Sequence, residues 1–569
     1  MVQYKTDGVC GAADTDKRLV SFYKYRSGEN HNMEQKYVSL LYPTEESGRY
    51  HSYRENLPNI SEDVCDELGL SEIFNLKNSS LTDFFTSDPE VIKYRQATVA
   101  DMIDIPEIRE TLSKVHPVLD DIQELRILDS DNTTSGDSYL YSITEIELYV
   151  SCIDILRDGL TPVRDRMKSG AFRSLTDFVT ELSSSEYYKE LNEKLEKLAS
   201  RVHEVKSITV GVNLDSQLRP SSAGVISINS ESFKSGKVLD KILRLSFKND
   251  AFTCIAELSP FGKGQSDNRR EALVGAFNGA IEEVFRSSVK GWRAIVGEYV
   301  LDNTDFLLKI LPEIEFVTKA TDLIRQLSEH EGCFVCMPEV RPMSEKAFSA
   351  EKLYNPRVAL AISERIVTNE LAFDENAGIY VLTGPNRGGK SVITVALGAA
   401  QAFMQLGLPV PAERAVISPV SGIFTHFPEG ADDTIDKGRL GEECARLREI
   451  FDSADSDSLI LLDESLSSTG AYEASYIASE ILCAFAAKRM RGIFSTHLHE
   501  LAAGVPDINR RSEERGGVRV DTLVAGMEEG ERSFKIHRMK PDGRSYARDI
   551  ADKYGLSFEE LMSGEESKK

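Results

Sequence analysis

The chain contains 569 residues, of which 41% are hydrophobic, and its 67 Lys and Arg residues face 92 Asp and Glu residues, for a net charge of −25. This length corresponds to several domains of about 150 residues each and excludes a small module held together by disulfides. The acidic balance excludes a uniformly basic coat for nucleic acid but is compatible with a local basic channel.

The eight cysteines do not show the spacing of a disulfide framework, which indicates a reducing compartment. No apolar run reaches the roughly 18 to 20 residues that span a bilayer. The first residues also lack the apolar core of a signal peptide. We therefore expect a cytoplasmic protein without a membrane partner.

Three regions follow one another along the chain. Residues 1–95 are polar and rich in tyrosine, and we assign no fold to them. Residues 96–345 show mainly helical periodicity, for example Ile108, Leu112, Val115 and Leu119 at spacings of three or four. The remaining residues, 346–569, change to the pattern of an α/β domain.

The helical region contains one β-containing insertion, near 205–262. Residues 207–212 and 224–230 alternate apolar and polar side chains, as strands do. Helical spacing returns over residues 268–327 with breaks near Asp302 and Pro312, which predicts two or three long helices. Five basic residues of the helical region could form a stripe on its surface: Arg157, Arg164, Arg166, Lys168 and Arg173.

The clearest chemical motif is G-x-x-x-x-G-K-S at the end of an apolar strand and the start of a helix. Glycines in such a loop let backbone N–H groups approach phosphate oxygens, and the helix N-terminus adds a positive dipole. We expect Lys390 to bridge the terminal phosphates and Ser391 to offer its hydroxyl to Mg²⁺. The predicted nucleotide-binding residues of the loop are Gly384, Pro385, Asn386, Arg387, Gly388, Gly389, Lys390 and Ser391.

Two further apolar runs end in polar side chains of the kind that this site needs. Residues 458–462 lead into Asp463, a predicted ligand of the magnesium shell, and Glu464, predicted to orient or deprotonate the attacking water. Residues 492–496 end at His497, which we expect to sense the γ-phosphate or the water. His499 is expected to be structural.

These motifs resemble the ATPase domain of the MutS family of DNA mismatch-repair and recombination proteins. The chain reads G-P-N-R-G-G-K-S where the family has G-P-N-M-G-G-K-S, and G-A-D-D-T-I-D-K-G-R-L-G-E-E, L-I-L-L-D-E-S and F-S-T-H-L-H-E-L follow in the family's order. The resemblance covers about residues 350–555 and implies an α/β P-loop ATPase domain of the ABC type that uses ATP and Mg²⁺. The preceding helices and β insertion are similar in layout to the family's helical core, lever and DNA clamp.

The chain departs from the family at positions that matter for the site. The family stacks adenine on an aromatic residue three positions before an Asn; here Asn369 fits that Asn, and Ile366 occupies the aromatic position. Where the family has a Ser-Thr pair that reaches the γ-phosphate of the other subunit, this chain has Gly438 and Arg439. We hypothesise that Arg439 acts in trans as an arginine finger, with a solvated arginine beside Asp436 and Glu442 as the alternative.

The resemblance implies a homodimer, joined through its ATPase domains, that embraces DNA under the control of ATP. The family's mismatch sensor, a Phe-x-Glu pair, is absent from the N-terminal third, so branched or recombination DNA is as well supported as a mismatch. The alternative is a nucleotide-switched scaffold for a protein or ribosomal partner with no DNA role. A transporter-type ATPase is disfavoured because the chain has no Leu-Ser-Gly-Gly-Gln signature.

Overall fold

The computed structural model describes residues 37–131, 139–203, 207–217, 220–229, 231–232, 234–235, 253–254, 292–427, 439–528 and 531–540. The chain divides into two compact units, Met1–Val38 and Ser39–Lys569, and every element named below lies in the second. Most of the predicted β insertion, Gly438 and the last residues of the α/β region lie outside the described residues.

The described helices are short in the N-terminal part of the chain and long in its central part. The N-terminal and central helices are α1 Glu45–His51, α2 Glu62–Glu67, α3 Leu70–Phe74, α4 Pro89–Asp104, α5 Pro106–Asp131, α6 Tyr139–Leu160, α7 Gly170–Ser184, α8 Glu186–His203 and α9 Trp292–Glu329. The later helices are α10 Pro356–Ala361, α11 Lys390–Gln405, α12 Arg439–Ser453, α13 Ala471–Ala487, α14 His499–Ala503 and α15 Val505–Glu513.

The described strands fall into two small pairs and two larger sheets. The small antiparallel pair is β1 Ser207–Leu214 with β2 Pro220–Asn229, and the small parallel pair is β3 Lys234–Ser235 with β4 Thr253–Cys254. The other strands are β5 Glu339–Val340, β6 Phe348–Leu353, β7 Asn369–Ala372, β8 Ile379–Thr383, β9 Arg414–Ile417, β10 Ile423–His426, β11 Leu459–Asp463, β12 Arg491–Ser495, β13 Val520–Glu528 and β14 Glu531–Arg538.

The long helices α4 to α9 pack together through the apolar faces that their periodicity predicts. In α5, the residues Ile108, Leu112, Val115, Leu119 and Ile122 are all fully buried. Amphipathic helices of this kind are stabilised mainly by burial of one face, because helix propensity alone is marginal. The described part of the chain contains no helix that is both long and apolar enough to cross a membrane.

Helix α9 corrects the predicted breaks at Asp302 and Pro312. It runs without interruption through both residues over 38 positions, with Pro312 inside it. A proline removes one helical hydrogen bond, but the flanking Leu311 and Ile314 are buried, and this packing compensates for the loss. The predicted helices therefore form one rod in the described residues.

The α/β region is built on a six-stranded sheet in the order β10-β11-β12-β8-β13-β14. All neighbouring strands are parallel except the last pair, β13 and β14. Every residue of β8, β11 and β12 is buried, as expected for strands covered on both faces. Because the strands are parallel, the carboxyl ends of β8, β11 and β12 meet at one edge.

A second, four-stranded sheet in the order β5-β9-β6-β7 lies beside the first in the same region. The N-terminal segment also joins this region. Gln405, at the end of α11, accepts a backbone hydrogen bond from Thr86 and returns one from its side-chain amide to the Thr86 carbonyl. The helix that follows the phosphate loop is therefore hydrogen-bonded directly to the segment before α4.

Candidate active site

The phosphate loop connects β8 to α11 in the strand, loop and helix arrangement that the motif predicts. Gly384 and Gly389 have φ values of 143° and 93°, a range that favours glycine, and Arg387 has a φ of 59°. A Cβ on Gly384 would lie only 2.6 Å from the Cβ of Ala525 on β13. The neighbouring strand therefore requires a glycine at this position, in addition to any demand from a ligand.

Lys390 is the first residue of α11, and its side chain is only 4% exposed. Its Nζ donates to the carbonyl oxygens of Gly384, at 3.2 Å, and Pro385, at 3.3 Å. The same nitrogen lies 3.7 Å from Oε1 of Glu464. An ammonium group is therefore held inside the curve of the loop, next to a carboxylate.

Asp463 ends β11 and is 6% exposed. Burial raises the pKa of its carboxyl group and the charge of Glu464 acts in the same direction, while the side chain of Ser391 opposes both through a hydrogen bond. Among the described residues, no group forms a hydrogen bond with the buried Oδ1 of Asp463. A buried carboxylate oxygen without a partner, beside a serine hydroxyl, fits the oxygen ligands that Mg²⁺ prefers.

Glu464 follows Asp463 in a left-handed backbone conformation, with a φ of 46°. Its backbone N–H donates to the Ser495 carbonyl at 2.8 Å, which carries β-sheet pairing one residue past the end of β11. The side chain is 36% exposed. Glu464 therefore presents a solvent-accessible carboxylate at the edge where the three strands end.

The third predicted strand end lies at the same edge. Asp463 pairs with Ser495, and Ser495 pairs with Leu382, so β11, β12 and β8 end at one level. His497 follows two residues after Ser495 and is exposed. His499 is also exposed and begins α14, so exposure does not distinguish the two histidines.

The two residues predicted to contact adenine are both largely enclosed by protein. Ile366 is 8% exposed, which leaves little surface for a ligand. Asn369 begins β7, and its side-chain amide is engaged by β14: Oδ1 accepts from the Ile536 N–H at 2.8 Å, and Nδ2 donates to the Phe534 carbonyl at 3.2 Å. Asn369 therefore contacts protein backbone on both sides of its amide.

Helix α12 is described from Arg439 onwards, which is the residue expected just ahead of this helix. Its inner face packs against the core of the α/β region, with Leu447 and Ile450 buried and Leu440 and Cys444 partly buried. Gly438 lies outside the described residues, so the proposed action of Arg439 in trans stays a prediction.

Two residues near the site were missed by the sequence argument. His426 ends β10, and its Nδ1 lies 2.8 Å from the hydroxyl oxygen of Ser465, the residue after Glu464. Burial lowers the pKa of His426 to about 4, and the nearby Arg446 acts in the same direction. The sequence contained one signal for His426, because it is a polar residue at the end of the strand I-F-T-H. Since β10 pairs with β11, this strand ends at the same edge of the sheet.

The predicted basic stripe on the helices is largely neutralised. Four of the five cations form ion pairs with carboxylates: Arg157 with Asp154 and Asp158, Arg164 with Asp177, Arg166 with Glu107, and Lys168 with Asp104. Such pairs reduce the positive potential that would attract a phosphate backbone.

Two family models match the chain. The model described as MutS domain V matches residues 380–527, which contain the phosphate loop, Asp463, Glu464 and His497. The model described as the MutS2 N-terminal domain matches residues 87–330, the helical region.

Individual relatives match parts of the chain. A DNA mismatch repair protein MutS of Ruegeria pomeroyi is 32% identical over 257 residues, 43% of this chain and 27% of the relative. An Endonuclease MutS2 of Thermus thermophilus is 28% identical over 225 residues, 40% of this chain and 28% of the relative. The chain thus matches only about a quarter of the length of these curated relatives.

Proposed function

Because this chain belongs to the MutS family and carries the family's ATPase domain, we propose that it binds and hydrolyses Mg²⁺-ATP at the edge formed by β8, β11 and β12. The observation that supports this site best is the convergence of three groups. The buried Lys390 ammonium lies 3.7 Å from the Glu464 carboxylate, and the neighbouring Asp463 has a buried oxygen without a described partner.

Each group has a role that follows from its surroundings. The Lys390 ammonium, which now contacts the carbonyls of its own loop, would bind the terminal phosphates in their place. Ser391 and Asp463 would hold Mg²⁺, which neutralises phosphate charge when it is bound. Glu464 would orient or deprotonate the attacking water, and the exposed His497 would contact the γ-phosphate or that water.

The test of this site compares two variants. In Glu464→Gln, hydrolysis should fall by about 100-fold or more, the contribution of a positioned general base, while ATP binding persists. Steady-state turnover and equilibrium binding of ATP measure the two effects separately. Lys390→Ala is the matched variant and should lose binding itself; full turnover in Glu464→Gln would exclude Glu464 as the base.

We propose further that two copies associate through their ATPase domains and that ATP closes this interface. A γ-phosphate contacted from both subunits would favour the closed interface, and hydrolysis would let this interface open again. Arg439, at the start of α12, is the proposed contact from the second subunit.

The proposed target of this switch is DNA, bound through its backbone and shape. The match of the helical region to the MutS2 N-terminal model supports this target, while the absence of a Phe-x-Glu pair in the N-terminal third argues against a preference for mismatches. ATPase rate and DNA retention should be compared on homoduplex, mismatched and four-way-junction DNA. Stimulation by junctions alone would favour recombination intermediates over mismatches.

A scaffold function is the second candidate, and the neutralised cations of the helices favour it. A net charge of −25 and ion pairs on four of the five cations of the predicted stripe weaken the positive potential that this surface would offer to DNA. This candidate predicts no retention of any of the three DNAs, together with ATP-dependent co-sedimentation with ribosomes or another protein assembly.

A further inference from the structure

Phe534 places an exposed aromatic ring beside the phosphate loop. Its Cδ1 lies 3.6 Å from the position that a Cβ would take on Gly389, the residue directly before Lys390. The side chain is nevertheless 45% exposed. One part of the ring therefore covers the loop, and another part faces solvent.

The backbone at Phe534 is in a costly conformation. Its φ is 55°, in the left-handed region that bulky residues rarely adopt and that persists only where the surroundings hold it. The pairing of β13 and β14 is irregular here, because Ala525 pairs with Ile536 and Met527 with Arg532. Ser533, Phe534 and Lys535 of β14 thus stand opposite the single residue Gly526, and this bulge directs Phe534 towards the loop.

Asn369 holds the bulge in place from the other sheet. Its amide bonds the Phe534 carbonyl and the Ile536 N–H, on either side of Lys535. The Nζ of Lys535 in turn donates to the Thr368 carbonyl at 2.5 Å. The start of β7 is therefore tied to the segment that carries the ring, which makes Asn369 a positioning residue for Phe534.

We propose that Phe534 is the stacking surface for the base of the bound nucleotide. This proposal rests on the proposed ATP site and adds to it the residue that recognises the base. Ile366, at the aromatic position of the resembling family, is buried, whereas Phe534 offers an accessible ring beside the loop that would hold the phosphates. An aromatic face stacks on a purine through dispersion and removal of apolar surface from water.

The first test uses fluorescence, which is possible because the chain has a single tryptophan, Trp292, that can be replaced. In a Trp292→Phe background, Phe534→Trp places the only indole beside the phosphate loop. We expect ATP and ADP with Mg²⁺ to quench its fluorescence, because the base stacks on the indole. Tripolyphosphate, which has no base, should bind the loop without this quenching.

The alternative outcomes are distinct. Equal quenching by tripolyphosphate would mean that the ring senses phosphate or loop movement and would overturn the stacking proposal. Absence of quenching while equilibrium dialysis shows bound ATP would also overturn it, and the ATP site would stand. If dialysis shows no ATP bound to the wild-type protein, the proposed function and the stacking proposal fail together.

A second variant makes the test independent of the tryptophan reporter. Phe534→Ala should weaken ATP binding about tenfold, or about 1.4 kcal/mol, and leave tripolyphosphate binding within about twofold. Phe534→Tyr should restore ATP affinity. Phe334→Ala, which removes another partly exposed ring, is the matched control and should bind ATP as the wild type does. If Phe534→Ala weakens the binding of ATP and of tripolyphosphate equally, Phe534 supports the structure of the loop and does not stack on the base.

Discussion

Two residues that follow β11 carry unusual backbone geometry. Glu464 and Leu466 have φ values of 46° and 66°, and such conformations persist only where the surroundings hold them. Ser465, between them, is 4% exposed and contacts both Nδ1 and the carbonyl oxygen of His426. The link to His426 therefore fixes the turn that aims the Glu464 carboxylate.

Replacing His426 should affect hydrolysis more than ATP binding. In His426→Ala, the buried Ser465 hydroxyl loses its imidazole partner and the strained turn relaxes, so we expect kcat to fall about tenfold. ATP affinity should stay within about twofold, because Lys390 and the loop are unchanged. His426→Asn, which restores a polar partner, should recover part of kcat. An unchanged kcat in His426→Ala would show that the turn holds Glu464 without this contact.

At the scale of whole elements, α9 connects parts of the chain that are far apart in sequence. Glu313 accepts hydrogen bonds from the Ser39 hydroxyl and the Leu40 N–H, and Glu315 accepts from the N–H groups of Lys77 and Asn78. The N-terminal segment is thereby attached to the middle of the long helix. Burial raises the pKa of Glu313 to about 7, although the hydrogen bond from Leu40 and the charge of Arg95 oppose this shift.

This raised pKa predicts a specific effect of pH on stability. Between pH 4.5 and about 7 the folded state keeps a proton on Glu313 that the unfolded state has lost, so the contribution of Glu313 to stability falls as pH rises. Glu313→Gln cannot titrate and therefore lacks this pH-dependent contribution. The free energy of unfolding of the variant relative to wild type should rise between pH 4.5 and about 7, by at most about 3 kcal/mol.

Denaturant unfolding of both proteins at several pH values measures the difference. His426, with its pKa lowered to about 4, contributes in the opposite sense, because its stabilising effect is present above pH 6.5 and is lost as pH falls towards 4. His426→Asn therefore serves as the control with the opposite slope. A pH-independent difference between Glu313→Gln and wild type would show that Glu313 has the same pKa in both states.

The same elements show what the sequence could and could not predict. The phosphate loop, Asp463 and Glu464 were predicted because their signals are local: a strand, a glycine-rich loop and an acidic strand end. The contacts of Glu313 with Ser39 and of Asn369 with Phe534 join residues 274 and 165 positions apart, and periodicity carries no information about such pairs. Helix α9 was predicted with breaks because Pro312 is a local signal, whereas the packing that overrides it is not.

At the scale of the whole molecule, the proposed dimer requires each site to use residues from both chains. Lys390 and Glu464 lie 3.7 Å apart in one chain and must therefore act together in cis. Arg439 begins a different helix, α12, and is proposed to act on the site of the other subunit. On α13, which follows Glu464 in the chain, Tyr472 and Tyr476 are 81% and 66% exposed, a surface that a second copy would cover.

Mixing two inactive variants separates action in trans from action in cis. Lys390→Ala and Arg439→Ala should each lose dimer-dependent turnover, but a mixed dimer contains one site with an intact Lys390 from one chain and an intact Arg439 from the other. Equal mixing should therefore restore about a quarter of wild-type turnover, since half of the dimers are mixed and each has one complete site.

Lys390→Ala mixed with Glu464→Gln is the control: both residues act in cis, so no mixed site is complete and turnover stays absent. If the first mixture is as inactive as this control, or if Arg439→Ala alone hydrolyses ATP at the wild-type rate, Arg439 does not complete the site of its partner.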